Sequence, residues 1–244
     1  MKCFLLFFSL SVFLSFGCSN TEEVISRIAK EEKNEEKADT LKSKTISILS
    51  LGDSYTIGES VCVSCKFPEQ LKEGLLNSFG SNTSIDLKVI ARTGWTTTNL
   101  INAVASENVA NNYNLVTLLI GVNNQYQNKP FSLYELEFPA LVAAAIKKAK
   151  SSSGKVIVVS IPDYAYTPFG EGDIKISNGI DKYNAFAENY CTKKNISFIN
   201  ITDITREGLK NKDLVASDGL HPSELAYSKF VERILPVAIS KLEN

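Results

Sequence analysis

Five short runs of β-branched and leucine-rich residues recur along the chain, at 46–51, 85–91, 115–120, 156–161 and 196–201. Apolar runs of that length are typical of strands buried on both faces of a parallel sheet. Longer segments with helical spacing separate them, at 67–79, 98–108, 133–151 and 180–194, and a last helix is expected over 223–242 with Pro236 as a candidate kink. Strand and helix in alternation imply right-handed crossovers with helices on both sides of the sheet. The expectation is an α/β fold, a doubly wound three-layer sandwich over residues 45–244. In such folds functional residues follow the carboxyl ends of the strands.

One further apolar run, residues 3–16, follows Lys2 and ends at Gly17-Cys18. It is shorter than the roughly 20 residues a spanning helix needs. A basic start, a short apolar stretch and a small residue before the cut describe a secretory signal over 1–17. With a cysteine next, it resembles a bacterial lipoprotein signal, which implies that Cys18 is lipidated and holds the protein on a membrane. Ser19 in the following place implies delivery to the outer membrane, with the domain in the periplasm or at the cell surface. Residues 18–44 are rich in Glu, Lys, Asn and Ser and read as a charged tether, since such a segment cannot bury a core.

The 244 residues carry 26 basic and 27 acidic side chains, a net charge of −1, and so lack the basic footprint of a nucleic-acid binder. The sequence has a single histidine, His221, which limits metal chemistry. Gly52 and Gly58 do not make a phosphate loop, because no Gly-Lys-Ser/Thr follows. The expectation is a protein without metal or cofactor.

The first strand runs into Gly52-Asp53-Ser54-Tyr55. Glycine lets the chain turn, Asp53 is suited to cap the next helix, and Ser54 would sit at the mouth of the sheet with a free backbone N–H. Near the far end, Ser217-Asp218-Gly219-Leu220-His221 lies in a loop before the last helix. An Asp three residues ahead of a His can fold back onto Nδ1 and leave Nε2 as a base. A base beside a serine is what activates its hydroxyl. Acyl transfer also needs donors aimed at a developing oxyanion. Gly94 follows the second strand and allows close approach of a backbone N–H, and Asn123 follows the third and can aim an amide N–H₂ into the same cleft.

These four ordered blocks, Gly52-Asp53-Ser54, Gly94, Gly121-Val122-Asn123 and Asp218-Gly219-Leu220-His221, resemble those of the SGNH (GDSL-type) hydrolases. The resemblance spans about 45–242. It implies a flavodoxin-like parallel sheet of about five strands in the order 2-1-3-4-5, with Ser54 as nucleophile, His221 as base and Asp218 as its orienter. It implies an oxyanion hole from the Ser54 N–H, Gly94 and Asn123. Tyr55 replaces a frequent leucine, and Asn124 stands where many members carry Asp. The flanking residues are similar to a bacterial secreted or lipoprotein branch, lysophospholipase-like. The expected activity is a serine esterase on small, lipid-like or glycan-acetyl esters. An acyltransferase with the same triad and a non-catalytic ligand-binding lipoprotein are the alternatives.

Trp95, Tyr126, Tyr164, Tyr166 and Phe169 are candidates to line an acyl or sugar pocket, and Asp163 and Arg92 hold similar loop positions without a role. In an oxidising envelope a structural disulfide is the default, either Cys62–Cys65 or one of these with Cys191.

Overall fold

The computed structural model describes residues 44–243. Five parallel strands, β1 (Lys44–Gly52), β2 (Thr83–Ala91), β3 (Leu115–Leu119), β4 (Val156–Val159) and β5 (Ser197–Ile199), form one sheet in the order β2-β1-β3-β4-β5. Every residue of β3 and β4 is buried, and β1 is buried from Ile48 onward with a short step at Ser47. That explains their unbroken apolar text: central strands of a parallel sheet have helices on both faces. The edge strands β2 and β5 are only partly covered.

The helices are α1 (Ser54–Ile57), α2 (Phe67–Phe79), α3 (Thr97–Ser106), α4 (Val122–Tyr126), α5 (Phe131–Lys148), α6 (Ile174–Lys193), α7 (Thr202–Thr205) and α8 (Glu224–Glu243). Right-handed crossovers put the helix from β1 to β2 on one face and the later ones on the other. Accordingly α2 packs with α8, and α3 and α6 each pack with α5. Gly74 is what lets α2 and α8 close up, since a Cβ there would come within 2.9 Å of Leu235.

The observed bounds differ from the expected ones for local reasons. Helix α6 starts six residues early because Asp173 caps it, accepting from the Lys175 N–H at 2.8 Å, while Ile174 is exposed and breaks the apolar period. Strand β5 is shorter than its apolar run because the Ile201 N–H leaves the ladder for Ser160 Oγ at 2.8 Å. Pro236 lies inside one continuous helix. The one-turn helices α1, α4 and α7 are too short to show a period.

Register decides where the chemistry falls. Gly52, the last residue of β1, pairs with Ala91 of β2 on one side and Leu119 of β3 on the other. Three strands therefore end level, and the segments that follow them leave the same edge of the sheet.

Candidate active site

Ser54 opens α1 directly after β1. Gly52 does not adopt a left-handed conformation there; its lack of a side chain is what matters. A Cβ would lie 2.0 Å from Thr56 Oγ1 and 2.4 Å from the Leu119 carbonyl, so the chain crosses too close to β3 for any other residue. The expected turn glycine is thus a close-approach glycine. Asp53 does cap the helix, accepting from the Tyr55 N–H at 3.1 Å. As the first residue of the helix, Ser54 keeps an N–H without a helical partner.

Asp53 is fully buried and its Oδ2 has no partner. Burial raises its carboxyl from 3.8 to about 7, against the lowering effect of the backbone N–H groups of Tyr55 and Asp53. An acid raised in the folded state stabilises the fold fully below its unfolded value, and that contribution is lost as pH rises through the folded one. Between pH 4 and 7 the loss should reach about 4 kcal/mol. Thermal melts of the wild type are therefore expected to fall across that window relative to Asp53→Asn, which keeps the cap and cannot ionise. Parallel curves for the two proteins would contradict the buried-acid argument. Below pH 4 the trend reverses, because hydrogen bonds hold Asp218 and Asp203 under the usual carboxylate range and their contributions vanish on protonation.

Gly94 and Asn123 meet beside Ser54. The Trp95 N–H donates to the Arg92 carbonyl at 3.2 Å, closing a turn in which Gly94 has a φ of 81°. No atom would obstruct a Cβ at Gly94, so here the backbone conformation, and not space, calls for glycine. Gln127 Nε2 holds the Gly94 carbonyl at 2.9 Å. Asn123 Nδ2 donates one hydrogen to the Trp95 carbonyl at 3.1 Å, which fixes the amide and leaves its second hydrogen for the pocket.

The neighbouring Asn124 is a lock that sequence reasoning noted only as a departure. Its Oδ1 accepts from the Thr97 N–H at 2.9 Å and its Nδ2 donates to Thr97 Oγ1 at 2.6 Å. Thr97 in turn donates to Glu137 at 2.5 Å. The chain joins the loop after β2 to that after β3 from beneath. Replacing Asn123 by alanine is expected to lower kcat for ester hydrolysis by about 10²–10³-fold while leaving turnover measurable above background. Steady-state kinetics on a p-nitrophenyl ester would check this, and a change in KM alone would speak against Asn123 as a donor to an oxyanion.

Asp218 and His221 are joined within their own loop. Asp218 Oδ2 lies 2.6 Å from His221 Nδ1, and Oδ1 accepts from the backbone N–H groups of Leu220 (2.9 Å) and His221 (3.0 Å). Gly219 has a φ of 72°, the left-handed residue that lets this loop fold back. Ser60 Oγ donates to Oδ2 at 2.7 Å. Burial pushes the Asp218 carboxyl up, but the bonds from His221, Ser60 and the two amides outweigh it and hold it well below the usual range. The Tyr55 ring packs 5.3 Å from the imidazole, a wider support than leucine would give.

Ser54, Gly94, Asn123 and His221 all line one pocket of about 200 Å³. Ser54 and His221 face it without a hydrogen bond between them. A family model described as the GDSL-like Lipase/Acylhydrolase family matches residues 50–229. The chain belongs to this family.

No curated protein matches the chain. Among solved structures, this GDSL-like hydrolase is similar to a lipolytic G-D-S-L family protein from Veillonella parvula DSM 2008 (21% identity, 79% of this chain and 97% of that one, TM-score 0.59). It is similar to the psychrotrophic esterase EstA from Pseudoalteromonas sp. (17% identity, 81% and 99%, TM-score 0.58). It is also similar to a variant of the acetyl xylan esterase Axe2 from Geobacillus stearothermophilus (16% identity, 81% and 96%, TM-score 0.58). At these identities the likeness is one of fold.

Of the expected aromatic lining, Tyr126, Tyr164 and Phe169 face the pocket of this GDSL-like hydrolase and pack on one another at ring distances of 5.9–6.4 Å. Trp95 and Tyr166 do not line it: Trp95 serves through its carbonyl, and Tyr166 follows on the short turn beyond Tyr164. Asp163 turns out to be a buried strut that accepts from Ala165 N–H, Ser177 Oγ and Arg206 Nε and so fixes the turn carrying Tyr164. Arg92 contributes only its carbonyl to the Gly94 turn. The disulfide is Cys62–Cys65, and Cys191 is a free, fully buried thiol. Cys18, the signal and the tether up to residue 43 lie outside the described residues.

Proposed function

We propose that this hydrolase is a serine esterase that cleaves carboxylic esters of short acyl groups, glycan acetyl groups among them, through an acyl-Ser54 intermediate. The observation that carries the reading is the convergence on one pocket of Ser54, Gly94 and Asn123 from three strand ends and of His221 from the loop before α8, with Asp218 fixed on His221 Nδ1. With Nδ1–H held by Asp218, Nε2 is the free base. Ser54 Oγ attacks the ester carbonyl and its proton passes to Nε2. The oxyanion that forms accepts from the N–H groups of Ser54 and Gly94 and from Asn123 Nδ2. Collapse expels the alcohol, which leaves with the proton from Nε2. Water then attacks the acyl-serine with Nε2 again taking the proton, and collapse returns it to Ser54 Oγ, freeing the acid.

The pocket favours a small acyl group, since about 200 Å³ is less than the roughly 300–1,000 Å³ of drug-sized ligand sites. Exposed Tyr126 and Phe169 at its mouth suit an apolar or sugar-ring leaving group. In this reading the domain works from a lipid anchor on Cys18 at the outer membrane of the bacterial envelope, a placement supported by the leader alone.

The test is hydrolysis of p-nitrophenyl acetate, butyrate and octanoate by residues 44–244, beside fluorophosphonate labelling. Saturable turnover favouring acetate and butyrate is expected, with one serine labelled. A folded protein that neither turns over an ester nor takes the label would return the chain to a ligand-binding role. Preferential transfer of the acyl group to an added sugar would make it an acyltransferase.

A further inference from the structure

The loop from Gly58 to Cys65 lies between α1 and α2 and belongs to none of the four blocks. It nonetheless touches two of them. Ser60 Oγ donates to Asp218 Oδ2 at 2.7 Å, across 158 positions of sequence. The adjacent Glu59 accepts from Thr93 Oγ1, next to Gly94. The loop is itself tied down on both sides of this pair. Gly58 and Glu59 both donate from their N–H groups to the Ser54 carbonyl at 3.0 Å, and the Cys62–Cys65 disulfide closes the far side. Ser60 has a φ of 64°, a left-handed conformation that a serine adopts at some cost. That conformation places its hydroxyl on the one Asp218 oxygen that receives His221.

From this geometry we propose that Ser60 is a positioning residue for the triad: it orients the Asp218 carboxylate toward His221 Nδ1, from a loop fastened to both the nucleophile's helix and the Gly94 turn. The inference rests on the triad reading above. Two backbone amides already hold Oδ1, but they leave the carboxylate free to swing Oδ2 about that edge. Ser60 supplies the remaining restraint, so that Oδ2 is shared by the serine hydroxyl and the imidazole N–H. Ser60 is exposed, and water competes for the same oxygen. The bond's value is therefore directional and not a matter of binding energy, since a water could donate there without fixing the angle. Orientation of this kind acts on the step in which His221 takes and returns a proton, and not on substrate capture.

The experiment compares Ser60→Ala and Ser60→Gly with the wild type. Alanine removes the hydroxyl and keeps the backbone strain; glycine removes both, so at least one variant retains the fold. Both are expected to lower kcat about tenfold with KM within twofold. A second readout does not depend on turnover. His221 is the chain's one histidine, so in tag-free protein a single imidazole Nδ1–H resonance can be followed without assignment ambiguity. It is expected to be sharp and far downfield in the wild type and broadened by solvent exchange in both variants. Unchanged kcat together with an unchanged resonance in either folded variant would overturn the role of Ser60. If the wild type itself shows no Ser54-dependent turnover, the triad reading fails, and the resonance still reports whether Ser60 orders Asp218 on His221.

Discussion

Ser54→Ala is expected to lower kcat for p-nitrophenyl acetate by on the order of 10⁶-fold and to abolish fluorophosphonate labelling. Little else should change. Ser54 is 4% exposed at the first position of α1, and alanine fits there without disturbing the Asp53 cap or the backbone N–H proposed for the oxyanion hole. Asn123, the Gly94 turn and the Asp218–His221 pair all remain. The variant should therefore fold, melt within a few degrees of the wild type and still bind ester. What is lost is the atom that, in the proposed mechanism, bonds to the acyl carbon. Residual activity above about one per cent, by contrast with a loss of that order, would mean that some other group or a bound water delivers the nucleophile.

Asp218→Asn comes next, with an expected fall in kcat of about 10⁴-fold at neutral pH and little change in KM. Donors and acceptors decide the outcome. In the wild type Oδ2 accepts from both Ser60 and His221. An asparagine can keep Oδ1 on the amides of Leu220 and His221, but it then presents N–H₂ to the imidazole. Nδ1 must become an acceptor, the proton moves to Nε2, and the base proposed for Ser54 is gone. The same exchange asks Ser60 to turn its hydroxyl and accept. Nitrogen chemical shifts of the single histidine would show the tautomer directly. A variant with the proton still on Nδ1 and near-normal kcat would remove Asp218 from the mechanism.

The central sheet was legible in the sequence because β3 and β4 are buried on both faces, which leaves almost nothing but leucine, isoleucine and valine in their text. Ser54, Gly94 and Asn123 were legible as candidates because they follow strand ends that the register holds level, and Asp218 and His221 because they stand three residues apart in one loop. What stayed hidden depends on atoms meeting across long separations. Ser60 reaches Asp218 through a loop with no apolar pattern at all, and Asn124 locks Thr97 over 27 positions. The reason for Gly52 was hidden as well: its partner is the Leu119 carbonyl of a neighbouring strand, so the sequence suggested a bend where the structure requires contact. Trp95 looked like a pocket wall because aromatic identity is visible in sequence and carbonyl direction is not.

The buried thiol of Cys191 gives the domain an internal clock. It sits on α6 with no exposed surface, and burial raises it from 9.0 to about 12, so the reactive thiolate is scarce while the helix is docked. With Cys62 and Cys65 paired, Cys191 is the one free thiol among the described residues. In a protein of residues 44–244, alkylation can therefore proceed only through states in which Cys191 is uncovered, by local opening around α6 or by global unfolding. The rate of mass increase under iodoacetamide would report the population of those open states, in minutes or days, without denaturant.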